Sequence, residues 1–292
     1  MHWHQLVENL HTHKRGTERA VHKPLLVLML LARAQRGEPR QVSYNEIEEP
    51  LKKALEDFGP PRSKPPHPEY PFWYLRFDGF WELEGDGLPA DNSGTPSPKK
   101  FKENNVTGSV PQELWAELSG HRHQIKTLAE TVLEQFWPDT MHDDIAAFLG
   151  LDLSAGAGGA RARRDPAFRE AVLRAYERRC AVCGYDGRLG DSLVGLEAAH
   201  IHFKQDHGRD AVDNGLALCA LHHKIFDYGG IGLSEERRIL VSQDFAGHDA
   251  TRQFVLQFQG RPLQGPQADS MAPAADVVRW HQKNVFRGAA RG

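Results

Sequence analysis

The sequence predicts an α+β protein of two domains: a mainly helical N-terminal domain with a short hairpin, then a small C-terminal domain stapled by metal. Three observations carry this. Helical periodicity and helix-start signals recur through residues 24–149. The Gly/Ala-rich stretch from Ser154 to Arg161 reads as a flexible linker. Beyond it, all three cysteines fall in two short-spaced pairs, Cys180-x-x-Cys183 and Cys219-x-x-His222. The expected boundaries are 1–153, a linker over 154–164, and 165–292.

The elements follow in order. Leu25 to Ala32 is an apolar helical run, and Pro24 suits its first turn, where a missing N–H costs nothing. Ser43 and Glu46 frame a capping box, which starts a helix at Tyr44 that runs to about Phe58 and stops at Gly59-Pro60-Pro61. Tyr70–Leu75 and Gly79–Leu83 read as two strands joined by a turn at Asp78-Gly79. In that reading Phe72 and Tyr74 share one face, and Trp73 and Leu75 the other. Residues 84–110, with the basic run Lys99–Lys102, read as loop. Residues 111–136 return to helical periodicity, with a further turn or two from Asp143 to Leu149. A helix from Pro166 to Arg179 leads into Cys180. Leu193 to Ala199 reads as a strand, His223 opens a helix, and Val277 to Phe286 closes the chain as another.

The net charge of −3 gives no global signal for nucleic acid, so that case rests on local patches. Residues 11–36 carry Lys14, Arg15, Arg19, Lys23, Arg33 and Arg36 against the single acid Glu18. Residues 161–188 carry eight Arg against four acids. The longest apolar run, Pro24 to Ala32, is far too short to span a bilayer. His2, His4, Glu8 and His11 interrupt any signal-peptide pattern. Three cysteines argue for metal rather than a disulfide framework, so the expected compartment is the cytoplasm.

Zinc takes four soft ligands in a tetrahedron, and Cys180, Cys183, Cys219 and His222 supply them as two knuckles. A second pattern uses residues that zinc leaves over: His200, Asn214, His223 and Asp227. His223 and Asp227 are four apart on one helical face, and a hard divalent ion such as Mg²⁺ or Mn²⁺ accepts imidazole and carboxylate together.

The segment from Cys180 to Asp227 resembles an HNH (ββα-metal) endonuclease domain. That resemblance implies His200 as the general base, Asn214 as the residue that fixes the loop, and His223 with Asp227 as ligands of the catalytic ion. Many family members carry Asp or His just before the base, where this chain has Ala199.

The N-terminal motifs His22-Lys23-Pro24-Leu25-Leu26, Ser43-Tyr44-Asn45-Glu46-Ile47, Phe58-Gly59-Pro60-Pro61, Tyr70-Pro71-Phe72-Trp73 and Asp78-Gly79-Phe80-Trp81 resemble the sulfur-binding domain of phosphorothioate-dependent (type IV, McrA-like) restriction endonucleases. The implied sulfur pocket is Tyr70, Pro71 and Tyr74, the last where the family has a small residue. The implied DNA contacts are Arg15, His22, Lys23 and Lys100. The expected partner is phosphorothioated double-stranded DNA. No membrane is expected, and a homodimer is, because cutting two strands takes two active sites. Two alternatives stay open: an HNH endonuclease that reads a methylated base, and a non-catalytic DNA-binding protein with zinc as scaffold.

Overall fold

The computed structural model describes residues 2–10, 21–86, 88–89, 94–154 and 166–292. It divides into two compact units, Met1–Gly159 and Ala160–Gly292. The expected Gly/Ala linker and Arg15 lie almost wholly or wholly outside the described residues.

The first unit comprises α1 (Trp3–Glu8), α2 (His22–Gln35), β1 (Gln41–Ser43), α3 (Tyr44–Phe58), α4 (Glu69–Tyr74), β2 (Glu82–Glu84), α5 (Pro98–Glu103), β3 (Thr107–Ser109), α6 (Gln112–Leu118), α7 (Arg122–Phe136) and α8 (Asp139–Leu149). Its centre is α2, whose Leu25, Leu26, Val27, Leu28, Leu30 and Leu31 are all buried. A helix apolar on every side must be wrapped, and α3, α4, α6, α7 and α8 pack around it. The capping box at the start of α3 is present as read: Ser43 N donates to Glu46 Oε2 at 3.0 Å, and Glu46 N donates to Ser43 Oγ at 3.3 Å.

Two readings of this unit are corrected. The expected hairpin over 70–83 does not form. Residues 69–74 are helical, a 3-10 turn covers Leu75–Asp78, and only Glu82–Glu84 is a strand. Phe72, Trp73 and Leu75 are buried, whereas Tyr70 and Tyr74 face out together, four residues apart. Aromatic residues favour strands on propensity, but Pro71 cannot donate to a ladder and suits the first turn of a helix. The region 84–110 is not all loop either. Ser97 caps α5, accepting from Lys100 N, with Pro98 at the first helical position. Then β3 forms the middle of an antiparallel sheet ordered β1-β3-β2. At Gly108 of β3 the Trp81 ring lies so close that a Cβ would stand 2.0 Å from Trp81 Cζ2.

The second unit comprises α9 (Pro166–Ala175), β4 (Arg188–Leu189), β5 (Ser192–Leu193), β6 (Leu196–His200), β7 (Gly215–Cys219), α10 (Ala220–Asp227), β8 (Ile231–Leu233), β9 (Ile239–Val241), α11 (Asp249–Phe254) and α12 (Ala275–Asn284). β6 and β7 pair antiparallel from Leu196↔Cys219 to His200↔Gly215, and α10 follows at once, which makes a ββα unit. α9 stops at Ala175, short of the expected Arg179, because Glu177 and Arg178 turn the chain at φ 53° and 56°. The strand expected over 193–199 is broken at Gly195, φ 68°, into β5 and β6. α9 backs the ββα unit with Phe168, Val172 and Tyr176, which join one core with Leu196, Ala198 and Leu216.

Candidate functional site

The zinc knuckles converge. Ligand atoms of Cys180, Cys183, Cys219 and His222 all lie within 4.8 Å of one another. His222 Nδ1 is 3.1 Å from Cys219 Sγ and 3.6 Å from Cys180 Sγ, while its Nε2 is 2.8 Å from the Phe254 carbonyl. That carbonyl accepts the Nε2 proton and leaves the Nδ1 lone pair for a metal, the usual outer support of a ligating histidine. Hydrogen bonds from Cys183 and Cys219 hold the Cys180 thiol far below its ordinary pKa, against burial. Cys219 is pushed far up by its bond to Cys180 and by Cys183. Burial opposes a charge on His222, but Cys180 and Cys183 outweigh it and raise the imidazole to about 10. Three sulfurs this close cannot all ionise unaided, and a cation removes that conflict. The donor set therefore fits a tetrahedral zinc ion.

The other expected site residues lie on the ββα unit, each with its own contacts. His200 ends β6, with its ring stacked on Phe168 at 4.0 Å and 13° and its Nε2 2.8 Å from Asp210 Oδ1. Asn214 is fully buried and holds the intervening loop shut. Its Oδ1 accepts from His202 N at 2.8 Å, and its Nδ2 donates to the carbonyls of His202 (3.0 Å) and Arg209 (2.8 Å). His223 follows His222 and points elsewhere. Its Nδ1 is 2.6 Å from Glu197 Oε2 and its Nε2 3.3 Å from Asp227 Oδ2. Each ring nitrogen thus meets one carboxylate. The Asp227 side chain is 1% exposed and that of Glu197 36%.

Sequence reasoning missed Asp210, Phe168 and the contribution of α12. Arg209 is clamped to Asp213 (2.8 Å) and to Asp276 at the start of α12 (2.8 Å). Trp280 of α12 stacks on His202 at 4.1 Å. The contacts of Phe168 and of α12 join residues far apart in the chain, so no local spacing announces them.

On the first unit, Tyr70 and Tyr74 are 40% and 38% exposed, and Pro71 is buried. The rings of His67, Tyr70, Tyr74 and Phe77 follow one another at centroid distances of 5.1, 6.2 and 6.2 Å. His22 contacts Arg62, and its pKa falls to about 4 through burial and the charges of Arg62 and His67. At pH 7 it is a neutral hydrogen-bonding group, not a cation. Lys23 is held by the buried Asp78 at 2.5 Å. Lys100 is exposed on α5. The structure thus brings Tyr70 and Tyr74 together, and pairs His22 with Arg62 and Lys23 with Asp78. Among the described residues no helix is long and apolar enough to cross a membrane.

Comparison with known proteins agrees with both halves. Residues 1–154 match the ScoMcrA-like DNA sulfur-binding domain family, and residues 180–234 match an HNH endonuclease family. No curated protein matches the chain. Among solved structures it is similar to the sulfur binding domain of SprMcrA complexed with phosphorothioated DNA (22% identity, 53% of this chain and 94% of that one, TM-score 0.45). It is also similar to the corresponding ScoMcrA domain complex (19%, 50% and 97%, TM-score 0.44). A third is the type IV phosphorothioation-dependent restriction endonuclease ScoMcrA, of which the chain spans about a third (17%, 66% and 34%, TM-score 0.41). With the family match covering residues 1–154 of 292, the chain belongs to the ScoMcrA-like DNA sulfur-binding domain family, and it carries an HNH endonuclease domain after it.

Proposed function

We propose that this protein is a modification-dependent restriction endonuclease: residues 1–153 bind double-stranded DNA at a phosphorothioate link, and residues 165–292, joined through 154–164, hydrolyse phosphodiester bonds nearby. The observation that carries this reading is the union, in one chain, of a DNA sulfur-binding domain and an HNH domain.

Recognition follows from the chemistry of sulfur. It is larger and more polarisable than oxygen and accepts hydrogen bonds poorly. The outward rings of Tyr70 and Tyr74 give it apolar contact, whereas a phosphate oxygen at the same place loses its water and is disfavoured. Because Tyr74 stands where the family has a small residue, the contact is a ledge rather than a pit, and Pro71 between the two rings in sequence adds apolar surface. Arg15, Lys23 and Lys100 address the backbone, and His22 donates or accepts without charge. Such phosphate contacts act on any DNA and weaken with salt.

In the second unit His200 takes the proton of the attacking water, and Asn214 keeps the loop after it in place. His223 would hold a divalent ion such as Mg²⁺ or Mn²⁺. Asp227, the second ligand the resemblance implies, is buried and is suited instead to accept one ring proton and orient the imidazole, while the half-exposed Glu197 is suited to share the ion. When bound, the ion supplies charge stabilisation at the scissile phosphate. The Cys180, Cys183, Cys219 and His222 site would hold zinc as a structural ion. A homodimer would bring two centres to two strands, and a reducing cytoplasm keeps the thiols ready for metal.

Binding of the full chain to duplexes that differ by one sulfur tests the reader. Tyr70→Ala should bring phosphorothioate affinity down toward the plain-DNA level. Equal wild-type affinity for the two duplexes would reject the assignment. His200→Ala should abolish cleavage but not binding.

A further inference from the structure

Asp210 lies in the loop between β6 and β7, four residues before Asn214. Both of its carboxylate oxygens are engaged. Oδ1 is 2.8 Å from His200 Nε2, and Oδ2 accepts from Lys204 Nζ at 2.6 Å. Burial alone would raise its pKa, but Lys204 and His200 together outweigh burial and hold it below the usual carboxylate range. An ionised carboxylate can only accept hydrogen bonds. The proton of the short contact therefore sits on Nε2, and the lone pair of the neutral imidazole sits on Nδ1.

The loop that presents Asp210 is fixed on each side. Asn214 Nδ2 holds the carbonyl of the preceding residue, Arg209. The Arg209 guanidinium is forked between Asp213 and Asp276, and the Ala274 amide donates to the Asp213 carbonyl at 3.0 Å. Asp276 and Trp280 belong to α12, beyond the residues that match the HNH family. Phe168, stacked on the ring face, fixes the plane of the His200 imidazole, and the contact with Asp210 turns Nε2 toward the carboxylate.

We propose that Asp210 is the positioning residue of the nuclease centre, fixing His200 as the Nε2–H tautomer so that Nδ1 accepts the proton, with α12 holding Asp210 in place through Arg209. This rests on His200 being the general base. The water O–H bond breaks and its proton goes to Nδ1. The oxygen bonds to phosphorus as the P–O3′ bond breaks, and the 3′ alkoxide takes a proton from solvent. The growing imidazolium charge is matched by Asp210, which lowers the barrier without touching DNA.

Two measurements on the full chain test it. Long-range ¹H–¹⁵N NMR of the imidazoles should show His200 protonated at Nε2 and unprotonated at Nδ1. The opposite tautomer overturns the proposal whatever the variants do. Single-turnover cleavage of a duplex carrying one phosphorothioate link, with Mn²⁺, supplies the second. Asp210→Asn should slow it by about 10- to 100-fold at an unchanged half-saturating DNA concentration. Asp276→Asn should slow it less, on the order of threefold to tenfold. If Asp210→Asn only tightens DNA binding and leaves the rate constant unchanged, the carboxylate is a mere repulsive charge and the proposal fails. The controls separate the two claims. His200→Ala inactive with Asp210→Asn at wild-type rate overturns only the role of Asp210. His200→Ala at wild-type rate overturns the general base as well.

Discussion

Asn214→Ala removes one buried side chain that satisfies three backbone groups: His202 N at 2.8 Å, the His202 carbonyl at 3.0 Å and the Arg209 carbonyl at 2.8 Å. A buried amide left without an acceptor costs roughly 1–3 kcal/mol, and each carbonyl, with a second lone pair, about 1 kcal/mol. Arg209 is exposed and His202 half-buried, so water can enter and reduce the total. The expected loss is about 3 kcal/mol, a large share of the roughly 5–15 kcal/mol typical of a domain. Asn214→Asp should be no better, because it keeps the acceptor for His202 N but aims a carboxylate at two carbonyls. Urea-dependent hydrogen exchange read by mass spectrometry separates residues 166–292 from the first unit in the intact chain. The His202 amide should lose its protection first. A loss below about 1 kcal/mol, or unchanged exchange at His202, would refute the view that one side chain closes this loop.

Other outcomes follow from the same structure. Cys183→Ser, or chelation of the metal, should unfold the second unit and leave the first folded, because metal affinity at such a site is folding free energy. Zinc added back to stripped protein should release protons, and its affinity should fall as pH falls, because the site takes zinc as thiolates and a neutral imidazole. Stability of the first unit should fall with pH. His22 has a folded pKa of about 4 against 6.5 unfolded, so its contribution is complete above pH 6.5 and is lost as pH falls toward 4. The slope should be at most about 1 kcal/mol per pH unit given partial exposure, and His22→Gln should flatten it. Gly108→Ala should destabilise the first unit by about 1–3 kcal/mol, because the new methyl meets the Trp81 indole; an unchanged melting temperature would contradict that packing.

What was legible in the sequence was what chemistry writes locally. Cys-x-x-Cys and Cys-x-x-His fix side chains within a turn of one another, so the four residues that converge could be named before any fold was known. The capping box of α3 was legible for the same reason. Asp210, Arg209 and Asp276 were not, since their meaning depends on a loop closed by Asn214 and on a helix some sixty residues further on. Tyr70 and Tyr74 are an intermediate case. The family resemblance implies them as one pocket, and a helix puts residues four apart on one face. Its buried partners, Trp73 and Leu75 together with Phe72, follow only from the helix.

α10 carries His222 for one centre and His223 for the other, side by side in the sequence. One residue of helix turns a side chain by about 100°. A single residue inserted between Cys219 and His222 would therefore swing the metal ligand out of one centre and the imidazole out of the other. Point changes here grade from mild to severe, but a change of length has no mild form. From Cys219 to Asp227 the spacing, as much as the identity of the residues, keeps the two sets of side chains apart.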